Sequence, residues 1–166
     1  MLRAVGTISN EIEFEPPDCF VFYYFYDMIK EKRREDMNKK IEEEFVNTYI
    51  VRNKRERILF ELQSKKRSAV VERFCHGADE MLIASKIKSK GKYILDDIKE
   101  KILTSNAKMC YVISFFSDID GKEFRKQDII DKLIGAGMPS IAIFDDFVII
   151  ETEQEQGPAI KYLLEK

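Results

Sequence analysis

The sequence has a single histidine, His76, and only three cysteines, Cys19, Cys75 and Cys110, set far apart. So few ligands, so widely spaced, give neither a zinc pattern nor a disulfide framework. Each cysteine sits in an apolar run, where a thiol behaves as a small hydrophobe, and a reducing cytoplasm suits all three. Cys75 and His76 are adjacent, which on a strand points them to opposite faces and excludes a nucleophile–base pair. The N-terminus lacks a basic segment followed by an apolar core and a small-residue cleavage site, so no signal peptide is expected. The run from Cys19 to Tyr26 is too short to cross a bilayer, so no membrane partner is expected. Internal repeats, low-complexity segments and a convincing linker are also lacking. A single domain spanning 1–166 is therefore expected, long enough to bury a real core.

What is present is charge and apolar surface in globular proportion, 35% and 45% of residues. The formal net charge is only −2, yet it is unevenly spread. Residues 52–92 carry a net +7 and residues 93–166 a net −5. That split is the most informative compositional feature.

Met109–Phe116 is a continuous apolar, β-favouring run between Thr104-Ser105-Asn106 and Ser117-Asp118-Ile119-Asp120-Gly121. It predicts a central strand buried on both faces, with Val112 and Ile113 both inaccessible. A strand is also expected at 2–8 and a second strand or an extended arm at 11–18, followed by a helix over about 18–44, whose aromatic start at 20–26 reads alternatively as a strand. Period-two alternation then predicts strands at 45–51, 57–62 and 69–74, with Ile58, Phe60 and Leu62 on one face. The segment 78–88 reads either as a further strand or as a helix. Helical spacing returns at 92–104. Asp120 and Glu123 read as a capping box for a helix ended by Gly135 and Gly137. Asp145-Asp146 links two strands as a hairpin, and a last helix follows Pro158. The fold class expected is α+β, with a mixed sheet, an antiparallel meander and helices on at least one face.

Two constellations carry chemistry. The basic set Arg52, Lys54, Arg55, Arg57, Lys65, Lys66, Arg67 and Arg73, continued by Lys86, Lys88, Lys90 and Lys92, suits phosphates. In a meander its members fall at both ends of the sheet, and Arg57 with Arg73 must bridge them. The second is the acid pair Asp118 and Asp120 after the central strand, where two carboxylates suit a divalent cation. Asp145 and Asp146 join them if the strand at 141–144 is parallel to the central one. An EF-hand loop fails here, since Glu123 stands where that loop needs glycine. The stretch 117–122 resembles in part the Asp-x-Asp-Gly-Thr box of haloacid dehalogenase-like phosphatases, with Lys122 in place of threonine. The chain beyond it is too short for that fold's later motifs.

Val70-Val71-Glu72 followed by Asp118-Ile119-Asp120 is similar in order to the Glu and Asp-x-Asp of Toprim domains in topoisomerases and primases. Arg73 stands where that family has glycine, and its nearby aspartate is displaced to Asp79. The resemblance implies that Glu72, Asp118 and Asp120 hold a metal for phosphoryl transfer. Without it, the sequence points to a binding or regulatory protein that contacts nucleic acid or another polyanion through 52–92. No cofactor is implied. The alternative is a protein-interaction module with an apolar contact surface at Phe20–Tyr26.

Overall fold

The computed structural model describes residues 31, 32, 35, 38–154 and 157–166. Asp36–Lys166 form one compact unit. The strands expected at 2–8 and 11–18, the start of the 18–44 helix and the Phe20–Tyr26 surface lie outside the described residues.

Residues 38–49 are helical (α1), so this helix runs past the boundary expected at 44. Ile41 is half-buried, and Phe45, Val46, Tyr49 and Ile50 are buried, at spacings of three, four and one that form a helical stripe. Arg55 donates to the Ile50 carbonyl at 2.9 Å. A cation there meets a carbonyl left unsatisfied at the helix end. A 3₁₀ turn, Arg52–Lys54, leads into α2 (Arg55–Leu62) and then α3 (Arg67–Met81). α3 is kinked at Gly77, whose ψ of 30° is not helical.

Helices thus replace the strands expected at 45–51, 57–62 and 69–74. The physical reason is visible in α2. Ile58 and Leu62, four apart, are buried, while Phe60 between them is 65% exposed. On α3, Val70, Val71, Phe74, Ala78 and Met81 continue the same three-to-four spacing. Burying each large apolar side chain contributes about 1.5–3 kcal/mol, which outweighs the weak β preference of Ile, Val and Phe. Between 78 and 88 both expectations are partly met: α3 ends at Met81, a 3₁₀ turn spans Ala84–Lys86, and β1 (Ile87–Gly91) begins.

α4 (Leu95–Thr104) follows with Ile98 and Ile102 buried, as its spacing predicts. β2 (Met109–Ser114) is the expected buried strand, and Val112 and Ile113 are both 0% exposed. The chain then forms β3 (Lys122–Arg125), α5 (Lys126–Lys132), β4 (Ser140–Ile143), β5 (Phe147–Glu151) and β6 (Lys161–Glu165). The capping box is therefore corrected to a strand: residues 122–125 pair with β2, and the helix starts at Lys126. The final helix is corrected to β6. Tyr162, Leu163 and Leu164 are all buried, which only a strand covered on both faces provides.

Among the described strands the sheet order is β1-β6-β5-β4-β2-β3, so β2 lies one strand in from an end of that order and β4 and β5 are innermost. The α+β class holds, with helices against the sheet and a meander, here β4-β5-β6. Among the described residues every strand pairing is antiparallel, where a mixed sheet was expected. Alternation along the strands splits the core in two. Tyr111, Ile113, Ile143 and Leu164 pack under α1–α3. Val112, Ala142, Ile149 and Leu163 pack under α4 and α5. Beyond α5, Gly135 and Gly137 adopt φ of +86° and +72°. Their amides both donate to Glu151, at 2.7 and 2.9 Å. The Glu151 carboxylate lies 3.8 Å from the Lys161 ammonium, and both side chains are buried.

Candidate functional site

The candidate site is the groove between α2 and α3. The four-residue connection makes the two helices antiparallel neighbours, and Ser64 serves both. Its hydroxyl donates to the Glu61 carbonyl at 3.1 Å and accepts the Lys66 amide at 3.1 Å. The groove has a volume of about 450 Å³. Lys54, Arg57 and Arg73 line it, facing Glu72, His76 and Glu80, and Ile58 and Ala69 contribute to its apolar lining.

Beneath the rim lies Glu61, 5% exposed. Arg57 donates to it at 3.1 Å, and Arg73 donates through two nitrogens at 2.9 and 2.8 Å. The Arg73 hydrogen bonds, and behind them those from Arg57, hold its carboxyl below the usual range against the cost of burial. Arg57 and Arg73 therefore do meet, as the polyanion reading requires, though across a helix pair and through a shared acid.

The eight basic residues are not one free patch. Arg52, Lys65 and Lys66 are exposed and Lys54 is half-buried, and none forms an ion pair among the described residues. Arg55, Arg57 and Arg73 are engaged as above. Arg67 is committed to the interior. It donates to Asp120 at 2.6 Å, to the Tyr111 hydroxyl at 2.7 Å and to the Leu62 carbonyl at 3.1 Å, and it pairs with Glu42 at 2.5 Å. Tyr111 in turn donates to Glu42. Burial works against the Arg67 charge, but Glu42, Tyr111 and Asp120 outweigh it and raise its pKa.

The acids are dispersed. Glu72 is exposed on α3, and Asp118 is exposed in the turn after β2. Asp120 is no helix cap: one oxygen takes Arg67 and the other accepts the Ser114 amide at 3.0 Å. β4 is antiparallel to β2, so Asp145 and Asp146 lie at the opposite end of the sheet from Asp118 and Asp120. Among the described residues no group of three His, Cys, Asp or Glu side chains is placed to hold a metal. Cys75 and His76 sit on α3, His76 facing the groove.

No family model, curated protein or solved structure matches the chain. No helix among the described residues is long and apolar enough to cross a membrane.

Sequence reasoning missed Glu61 as the acid shared by Arg57 and Arg73, His76 and Glu80 as groove residues, and Glu42 and Tyr111 as partners of Arg67. The signal for the first group was present. Glu61 is four residues after Arg57, and residues 69, 72, 73, 76 and 80 share one helical face. It becomes readable only once 57–81 is assigned as helix.

Proposed function

We propose that this chain is a non-enzymatic binding protein that contacts nucleic acid or another polyanion through the α2–α3 hairpin, in the cytoplasm. The observation carrying this reading is that Arg52, Lys54, Lys65 and Lys66, on and beside the hairpin, form no ion pair among the described residues, with Lys54 lining the groove. Exposed cations lie beyond both ends of α2, Arg52 on one side and Lys65 and Lys66 on the other. α2 spans about 12 Å, a distance over which one strand presents several phosphates. Glu72 and Glu80 lower the positive potential inside the groove, so affinity rests on the exposed cations beyond the ends of α2. Cys110, a buried thiol, is consistent with a reducing compartment.

The test is binding of a single-stranded oligonucleotide and a duplex at about 50 and 200 mM salt. Three phosphate contacts predict a roughly 20- to 40-fold loss over that range. The combined variant Arg52→Glu, Lys65→Glu, Lys66→Glu abolishes the binding. Arg67 is left intact, because its loss would damage the fold rather than the surface. No binding by the native protein at low salt, or none lost in the variant, removes the reading. A protein-interaction module is then favoured by Phe60, Phe115 and Phe116, which are 65%, 42% and 47% exposed.

A further inference from the structure

Phe60 lies on the outer face of α2 with 65% of its surface in solvent. Ile58 and Leu62 on the same helix are buried and gain the stabilisation that this ring forgoes. Residues three and four apart are neighbours on a helix surface, which sets what surrounds the ring. Arg57 borders it on the side of the α2–α3 groove, which Arg57 also lines. Glu56 and Gln63 border it on the other side, where Gln63 donates to Glu43 of α1 at 3.5 Å.

Arg57 gives its Nε to Glu61 at 3.1 Å, and its side chain is still 64% exposed. A guanidinium carries five N–H donors, so donors remain at the surface for a ligand. Arg52 precedes α2 and Lys65 and Lys66 follow it, all three exposed and in no ion pair among the described residues. The ring therefore stands between cations along the helix, with Glu56 and Glu43 on its α1 side.

We infer that the hairpin binds single-stranded nucleic acid, one base stacking on Phe60 and the adjoining phosphates lying on the Arg57 side, toward Lys65 and Lys66. This rests on the polyanion reading and narrows it to one class of partner. Single strands are held by aromatic faces that take the bases and by cations that follow the backbone, and any base has a face to offer. In a duplex the base faces are stacked on one another, so a ring on a helix surface meets none of them. Glu56 and Glu43 repel a backbone on the α1 side, which leaves the Arg57 side for the strand.

The test compares oligothymidylate and oligouridylate of about twelve nucleotides with a duplex of the same length and with inorganic polyphosphate, which has charge and no bases. A single strand binds more tightly than the duplex, and the ratio of the two homopolymers separates DNA from RNA. Phe60→Leu keeps an apolar side chain and removes the ring. It weakens the single strand by at least about fivefold and leaves polyphosphate unchanged. The sequence has no tryptophan, so Phe60→Trp supplies one reporter. It binds the single strand at least as tightly as the native protein, and its fluorescence is quenched by the strand and not by polyphosphate. The exposure of Phe60 keeps both variants folded. Single-strand binding unaffected by Phe60→Leu, an equal loss of polyphosphate, an unquenched Phe60→Trp or tighter binding of the duplex overturns this inference and leaves the polyanion reading standing. Binding of none of the probes at low salt overturns both.

Discussion

The Arg67 guanidinium lies 2.6 Å from the Asp120 carboxylate, joining the start of α3 to the turn after β2. Through Glu42 and Tyr111 the same group also holds α1 and the sheet. A residue that reads in the sequence as part of a nucleic-acid surface is thus a structural centre.

Arg67→Ala leaves the Glu42 carboxylate, 3% exposed, without its cation. Breaking a buried pair in this way costs about 3–5 kcal/mol. Arg67→Lys recovers only part of the loss, since one ammonium lacks the guanidinium fork that reaches all four partners. Chemical denaturation of both variants checks this, and a loss under about 1 kcal/mol for Arg67→Ala refutes it.

Ile58 and Phe60 separate the two readings of α2. Ile58→Ala is expected to cost about 2–5 kcal/mol, because Ile58 is 1% exposed. Phe60→Ser is expected to stay within about 0.5 kcal/mol of the native protein. Equal losses at the two positions would restore the strand.

Glu61 makes the α2–α3 pair acid-sensitive. Its folded pKa lies below the unfolded value of about 4.3, so its contribution is complete above that pH and is lost as pH falls through the folded pKa. Glu61→Gln is therefore less stable than the native protein near neutrality, and the gap narrows below about pH 4. Urea denaturation of both proteins across this range measures the gap. A gap that stays constant with pH contradicts the assignment.

Glu151 and Lys161 differ in how many groups each satisfies. Glu151 accepts the Gly135 and Gly137 amides as well as facing Lys161. Glu151→Ala leaves a buried cation and two unpaired amides, and is expected to cost about 3–5 kcal/mol. Lys161→Met leaves the carboxylate its two amides and costs less. Thermal melting of the two variants gives the order, and the reverse order refutes this account.

The parts of the fold legible in the sequence are those where one pattern has one meaning. Cys110–Ile113 is apolar at successive positions, short and bounded by turn signals, which fits a doubly covered strand. Asp145-Asp146 between two apolar runs marks the β4–β5 hairpin. The helices of 45–81 were not legible, because Ile58, Phe60 and Leu62 fit period two as well as Ile58 and Leu62 fit a helix. Only Phe60's exposure separates them. β3 was hidden for another reason: an edge strand of Lys122, Glu123, Phe124 and Arg125 has one partly buried apolar residue and no alternation to read. At the candidate site, the excess of positive charge was plain. Which cations are spent internally was not, since their partners Glu42 and Asp120 lie far away in sequence from Arg67.

The strand order sets a timetable for the growing chain. β6 is the partner of β1 among the described strands, and everything from α4 to β5 lies between them. As the polypeptide leaves the ribosome, β1 emerges early and waits without its β6 partner until that segment arrives. Meanwhile Lys88 and Lys90, charged and exposed, make this waiting edge a poor template for a neighbouring chain.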